Sequence, residues 1–191
     1  FRPFASGEIP VSNGLAMSAT LCMASLLLSV LLLPQRFVVV LVAYLVLTTT
    51  YSFFLKRRAI VVVFSLAGLY TVRVAAGAAA TGLPLSFWIL SFSLFIFLSL
   101  ALAKRYVELS GSPAEVSQME KDRNYHPGDL PLVLCAGVAA GQMSALVLSL
   151  YLQDQQMLAR YSSPIYLWIL IPVFLFWIMR IWLKAVRSAL H

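Results

Sequence analysis

Acidic residues are scarce in this chain, and its apolar stretches contain none. Asp and Glu together number 7 among 191 residues: Glu8, Glu108, Glu115, Glu120, Asp122, Asp129 and Asp154. No pair stands at DxxxD or DxxD spacing. Magnesium is held by oxygen ligands, usually carboxylates acting with substrate phosphates, so the residues by themselves supply no convincing magnesium site. Cysteine is equally sparse. Cys22 and Cys135 each lie in an apolar run with no second Cys or His at ligand spacing, which argues for small core residues rather than a disulfide or a metal centre. No GxSxG, HExxH, P-loop or dinucleotide fingerprint occurs, so the common hydrolase and nucleotide signatures are absent. Charge is low overall. Charged residues make up 11% and hydrophobic residues 61% of the chain, against about a quarter and about half in soluble domains.

Six uncharged or nearly uncharged runs take up most of the sequence: Leu15–Leu33, Phe37–Leu55, Ala59–Ala80, Leu85–Ala103, Leu130–Leu152 and Tyr161–Met179. Each reaches the roughly 17–25 residues that carry a helix across a bilayer. None alternates in polarity as the strands of a membrane barrel do. The expected fold is all-α: a polytopic membrane helix bundle, with six transmembrane helices in a single transmembrane domain over 1–191. The chain starts at Phe1 without a signal-peptide pattern and reads as a piece of a longer protein.

The formal charge of +7 suggests nucleic acid until the cations are placed. With alternating sides along the runs, Arg2, Lys56, Arg57, Arg58, Lys104, Arg105, Lys121, Arg123, Arg180, Lys184 and Arg187 fall on one face. Only Arg36 and Arg160 fall on the other, and Arg73 lies within the membrane. That asymmetry follows the positive-inside rule. It predicts an integral membrane protein, expected in a bacterial inner membrane with its site facing the cytoplasm, and no nucleic-acid partner.

Pro34-Gln35-Arg36 predicts a tight outer turn, Lys56–Arg58 an inner one, and Thr81-Gly82-Leu83-Pro84 a second outer turn. The one long inner connection, about 104–129, carries most of the acids. Ser112-Pro113-Ala114-Glu115 has capping-box spacing, so a short helix is expected over Pro113–Lys121, with Asp129 capping the fifth span. A polar loop of this length reads either as a lid over a site or as a solvated linker.

Arg73 is the chain's sharpest functional signal. An ionisable residue inside a membrane segment is a site hypothesis by default. Val62, Leu66, Leu69 and Arg73 fall on nearly one helical stripe, with Tyr70 and Gly77 flanking it, and Arg73 lies about 16 Å from Val62 at helical rise. One reading is a cation at the bottom of an inward-opening polar cavity. The other is a structural Arg held by helix carbonyls or by an acid elsewhere. Lys56, Arg57 and Arg58 suit a diphosphate or act as a topology signal touching anionic headgroups. Lys104 and Arg105 share that ambiguity. Tyr51 and Tyr70 are interfacial or cavity hydroxyls.

At Arg2-Pro3-Phe4-Ala5-Ser6-Gly7 and again over Tyr51–Gly77, the chain resembles the UbiA superfamily of intramembrane polyprenyl transferases. The nearest branch is the decaprenyl-phosphate phosphoribosyltransferase-like proteins. Arg2, Pro3, Ser6 and Gly7 match the tail of a first Asp-rich motif, whose acidic part would precede Phe1. Tyr51, Lys56, Ala67-Gly68-Leu69-Tyr70-Thr71, Arg73 and Ala76-Gly77 match the second motif, and Val62 stands at its Asp position. The resemblance implies a nine-helix fold of which the first two spans and the last are missing here. It also implies Mg2+ as cofactor, an isoprenoid lipid and a diphosphate substrate as partners, Lys56 and Arg73 on substrate phosphate, and Arg2 positioning the first motif.

The substrate-binding candidates are therefore Arg2, Tyr51, Lys56, Arg73, Lys104 and Arg105, with no metal ligand and no catalytic residue assigned. The expected function is that of an integral-membrane UbiA-type prenyltransferase, transferring either a prenyl group or, in the closer branch, phosphoribose to a polyprenyl phosphate. The rivals are a non-catalytic scaffold or transport protein and an inactive family member with Val62 in place of the Asp. The 191-residue chain is not expected to turn over alone, and its oligomeric state is open.

Overall fold

Each apolar run winds into a helix long enough to cross a bilayer, because hydrocarbon leaves backbone N–H and C=O groups no partner but each other. The computed structural model describes residues 10–55, 58–111, 125–154 and 164–188. They form α1 (Val11–Leu32), α2 (Gln35–Phe53), α3 (Ala59–Thr81), α4 (Phe87–Leu109), α5 (Leu130–Leu152) and α6 (Leu170–Ser188). All six contain a window apolar enough to span a membrane. Short turns at Leu33-Pro34, around Arg58 and at Gly82–Ser86 make successive helices antiparallel. Gly82 closes α3 at φ +70°, a left-handed cap that a residue without Cβ adopts without strain.

The ends differ from the expected spans in informative ways. α1 takes in Ser12-Asn13-Gly14, since the Asn13 amide donates to the Pro10 carbonyl and starts the helix earlier. α4 continues past Lys104 and Arg105 to Leu109, where Glu108 pairs with both cations one turn on. The inner connection thus begins at Ser110, and the helix expected over Pro113–Lys121 lies outside the described residues. The last span is shifted toward the C-terminus. Pro164–Ile169 form a 3-10 turn and the α-helix begins at Leu170. Pro172 explains the change, because its ring crowds the carbonyl four residues back and it has no N–H to donate there; in the first turn of α6 it is harmless. α6 then carries Arg180, Lys184 and Arg187 on helix rather than tail.

α4 is central, touching α3, α5 and α6, with its most extensive contact on α5. Gly137 and Gly141, four apart on α5, let the helices approach closely. A Cβ on Gly137 would lie 2.2 Å from the Trp182 ring, and one on Gly141 would lie 2.7 Å from Ile178. The buried Ser99 hydroxyl donates to the Gly137 carbonyl at 2.7 Å and accepts from Trp182 Nε1 at 3.0 Å, tying α4, α5 and α6 together. α1, by contrast, rests mainly on α2 and is exposed along most of its length. Both cysteines are exposed, not in the core as expected. Apolar faces of a membrane helix point to lipid as readily as to protein, so an apolar run does not say which way its cysteine faces.

Candidate functional site

The ends of α2, α4 and α6 and the starts of α3 and α5 gather at one face, the basic one. Here Tyr125, only 4% exposed, brings the returning connection against α3 and donates its hydroxyl to the Ala59 carbonyl. Burial pushes this hydroxyl above the ordinary tyrosine range; the Arg105 charge opposes that shift, and Asp129 and Glu108 add to it. Tyr125 therefore stays protonated and keeps its bond. Asp129 stands at the N-cap position of α5 without capping it; its carboxylate accepts the His126 amide instead.

Arg105 is 2% exposed and donates to Glu108, while its Nε has no partner among the described residues. Lys104 is its opposite, with a side chain 69% exposed and 3.9 Å from Glu108. Tyr51 is half-buried, packs against the core, and feels the charges of Arg105 and Glu108. Tyr51, Lys104 and Arg105 therefore belong to one neighbourhood. Arg2, Lys56 and Arg57 lie outside the described residues. Arg58 is exposed at the N-cap position of α3.

Arg73 sits apart from this group. It comes 14 residues after Ala59, about 21 Å along the helix at 1.5 Å per residue. Its Nε and one terminal nitrogen donate to the Tyr44 hydroxyl of α2, at 3.0 and 2.5 Å. The guanidinium lies 5.3 Å from the Tyr44 ring centroid and 5.1 Å from that of Tyr70. Tyr70 in turn stacks on Phe97 of α4 at 5.0 Å. The arginine is exposed, and no carboxylate pairs with it among the described residues.

The stripe read from the sequence changes character along its length. Val62 is 0% and Leu69 7% exposed, packed in the core, whereas Arg73 emerges beyond them. The inward-opening cavity read above Arg73 is thus filled at Val62, which shares its core cluster with Leu109 and Tyr125. A magnesium ion does not fit this position. Valine offers no oxygen donor, the pocket around it is apolar, and the described residues contain no group of three His, Cys, Asp or Glu suited to a metal.

Comparison with known families matches residues 1–189 to the UbiA prenyltransferase family. The chain belongs to that family. Among curated proteins it is 37% identical to the uncharacterized protein y4nM of Sinorhizobium fredii over 192 residues, covering 100% of this chain and 37% of the relative. It is 32% identical to nodulation protein NoeC of Azorhizobium caulinodans over 126 residues, 65% of this chain and 41% of that protein. It is also 36% identical to decaprenyl-phosphate phosphoribosyltransferase of Mycobacterium tuberculosis over 109 residues, 57% of this chain and 36% of the enzyme. The chain spans well under half the length of these relatives. As a UbiA-family member it is an integral membrane protein of a transferase family that handles prenyl lipids. Its Arg73 was legible in the sequence. Tyr44, which holds that arginine, was not singled out, although it carries the only polar side-chain tip between Phe37 and Leu47.

Proposed function

We propose that the intact protein is a UbiA-type transferase that binds a diphosphate donor beside an isoprenoid lipid, with Arg73 as the phosphate-binding cation. One observation carries this reading. A guanidinium deep in a membrane-length helix is exposed, pinned by a hydroxyl and flanked by two aromatic faces, and no acid among the described residues neutralises it. Such a charge is costly in hydrocarbon unless it meets a partner, water or an anionic ligand. Tyr44 and Tyr70 hold its orientation while leaving donors for a phosphate oxygen, and arginine forks onto such oxygens.

As the C–O bond to the leaving diphosphate ionises, a fixed cation stabilises the departing charge without reorganising. Lys104, exposed on the basic face, is placed to attract the donor. The positive-inside pattern orients that face toward the cytoplasm. Since Val62 supplies no ligand, any magnesium in the intact protein rests on donor phosphates and on carboxylates elsewhere. The likeness to a decaprenyl-phosphate phosphoribosyltransferase favours phosphoribosyl diphosphate as donor and a polyprenyl phosphate as acceptor.

The test supplies the intact protein, in nanodiscs with Mg2+, with labelled phosphoribosyl diphosphate and decaprenyl phosphate. A parallel reaction uses a prenyl diphosphate and an aromatic acceptor. Labelled phosphoribosyl lipid is the expected product. A prenylated acceptor instead reassigns the donor, and no product from either sinks the enzyme reading.

A further inference from the structure

Between α5 and α6 runs an open groove of about 780 Å³. Its floor is the well-packed pair Ile178 and Trp182, at 1% and 5% exposure, locked by the glycines opposite them. Because Gly137 faces Trp182 and Gly141 faces Ile178, Leu134 lies near the level of Ala185, one half-turn before Arg187, and Gln142 near that of Trp177. From Trp177 to Arg187 the helix rises about 15 Å, half the roughly 30 Å hydrocarbon core. The groove is therefore one leaflet deep.

Its composition is graded. The walls away from the basic face are mostly apolar, with Val138, Phe176 and Met179 among them and Gln142 as the polar exception at the deep end. Arg180, Lys184 and Arg187 stand at i, i+4 and i+7 on α6, so they share one edge of the groove. All three are exposed, and among the described residues no acid lines the groove. Long basic stems lie along apolar surface and carry their charge to the headgroup level.

We propose that this groove binds one anionic phospholipid of the basic-face leaflet, an acyl chain in the apolar part and the phosphate on the three cations. Charge complementarity decides among occupants. A zwitterionic lipid gains little from three cations. A protein helix laid here leaves them buried in hydrocarbon unless it brings acids of its own. The site is separate from Arg73 and stands whether or not the transferase reading holds.

Native mass spectrometry of the intact protein, released from micelles containing equal dioleoyl phosphatidylglycerol and dioleoyl phosphatidylcholine, tests the proposal. One phosphatidylglycerol should be retained in preference by tenfold or more. Replacing Arg180, Lys184 and Arg187 by Gln should weaken retention by about fivefold per cation removed. Val138→Trp, which keeps every charge and fills the apolar wall, should also abolish it. Lys104→Gln, a cation outside the groove, should leave it unchanged. Equal retention of the two lipids overturns the proposal, as does loss in Lys104→Gln equal to that of the triple variant. Displacement by equimolar decaprenyl phosphate overturns it in favour of a substrate site. Retention of neither lipid by the folded protein shows that the groove is otherwise filled, and overturns it as well. Melting temperature read alongside verifies the fold of each variant, and if the triple variant does not fold, Val138→Trp decides.

Discussion

Two arginines with the same side chain meet opposite surroundings in this molecule. Arg105 is enclosed at the basic end of α4 with a carboxylate one turn away. Arg73 stands deep in α3, exposed, and its described partners are two tyrosines. A buried cation paired with an acid has its charge answered within the fold, which suits it to holding helix ends in place. An exposed cation steadied by neutral groups keeps its charge for something else. The contrast supports the proposal that the second binds the ligand and suits the first to a structural role; the sequence placed both among the substrate-contacting candidates.

Breaking the first pair should have the largest effect. Glu108→Ala strands the Arg105 charge and should cost about 3 kcal/mol in reversible unfolding, toward the low end for such pairs because Glu108 is 31% exposed. Arg73→Leu should do the reverse. Unfolding stability should change by less than about 1 kcal/mol, while product formation falls on the order of 10²-fold, the loss typical of removing a charge-stabilising donor. If Arg73→Leu instead unfolds the protein, the two arginines have the same role and the contrast fails.

Smaller changes sharpen it. Gly137→Ala drives a Cβ into the Trp182 ring and should destabilise the α4–α5–α6 unit by about 2 kcal/mol, with no change in affinity for diphosphate. Tyr125→Phe removes one bond to the start of α3 and should cost about 1 kcal/mol. The same variant has a pH signature. The folded-state pKa of Tyr125 is raised above 10.0, so its contribution is fully present below about pH 10 and is lost as pH rises from there through the folded value. Unfolding curves above pH 10 should fall less steeply for Tyr125→Phe than for the parent protein.

The helices were legible because each follows from an apolar run of membrane length, and α5 begins and ends at the residues expected. Ends were read less well wherever charge continued a helix. A stretch beginning Lys104-Arg105 reads as loop by composition, yet Glu108 satisfies both cations and α4 carries on. Arg180, Lys184 and Arg187 likewise sit on helix because a cation at a membrane boundary does not stop hydrogen bonding along the backbone. In the candidate site, Arg73 stood out as a charge where hydrocarbon forbids one. Its partner did not. Tyr44 is 29 positions away, and only the packing of α2 on α3 brings the two together. The stripe of Val62, Leu66, Leu69 and Arg73 was geometrically sound, but periodicity does not say what covers a face, and Tyr125 returns from 63 residues downstream to join the cluster that buries Val62.

The central claim is that Arg73 holds its charge for a phosphate. Isothermal titration of inorganic diphosphate into the intact protein measures this without requiring turnover. The parent protein should bind, and Arg73→Leu, with its melting temperature preserved, should bind at least tenfold more weakly. Equal affinity in the two folded proteins would contradict the claim and leave Arg73 a structural residue like Arg105.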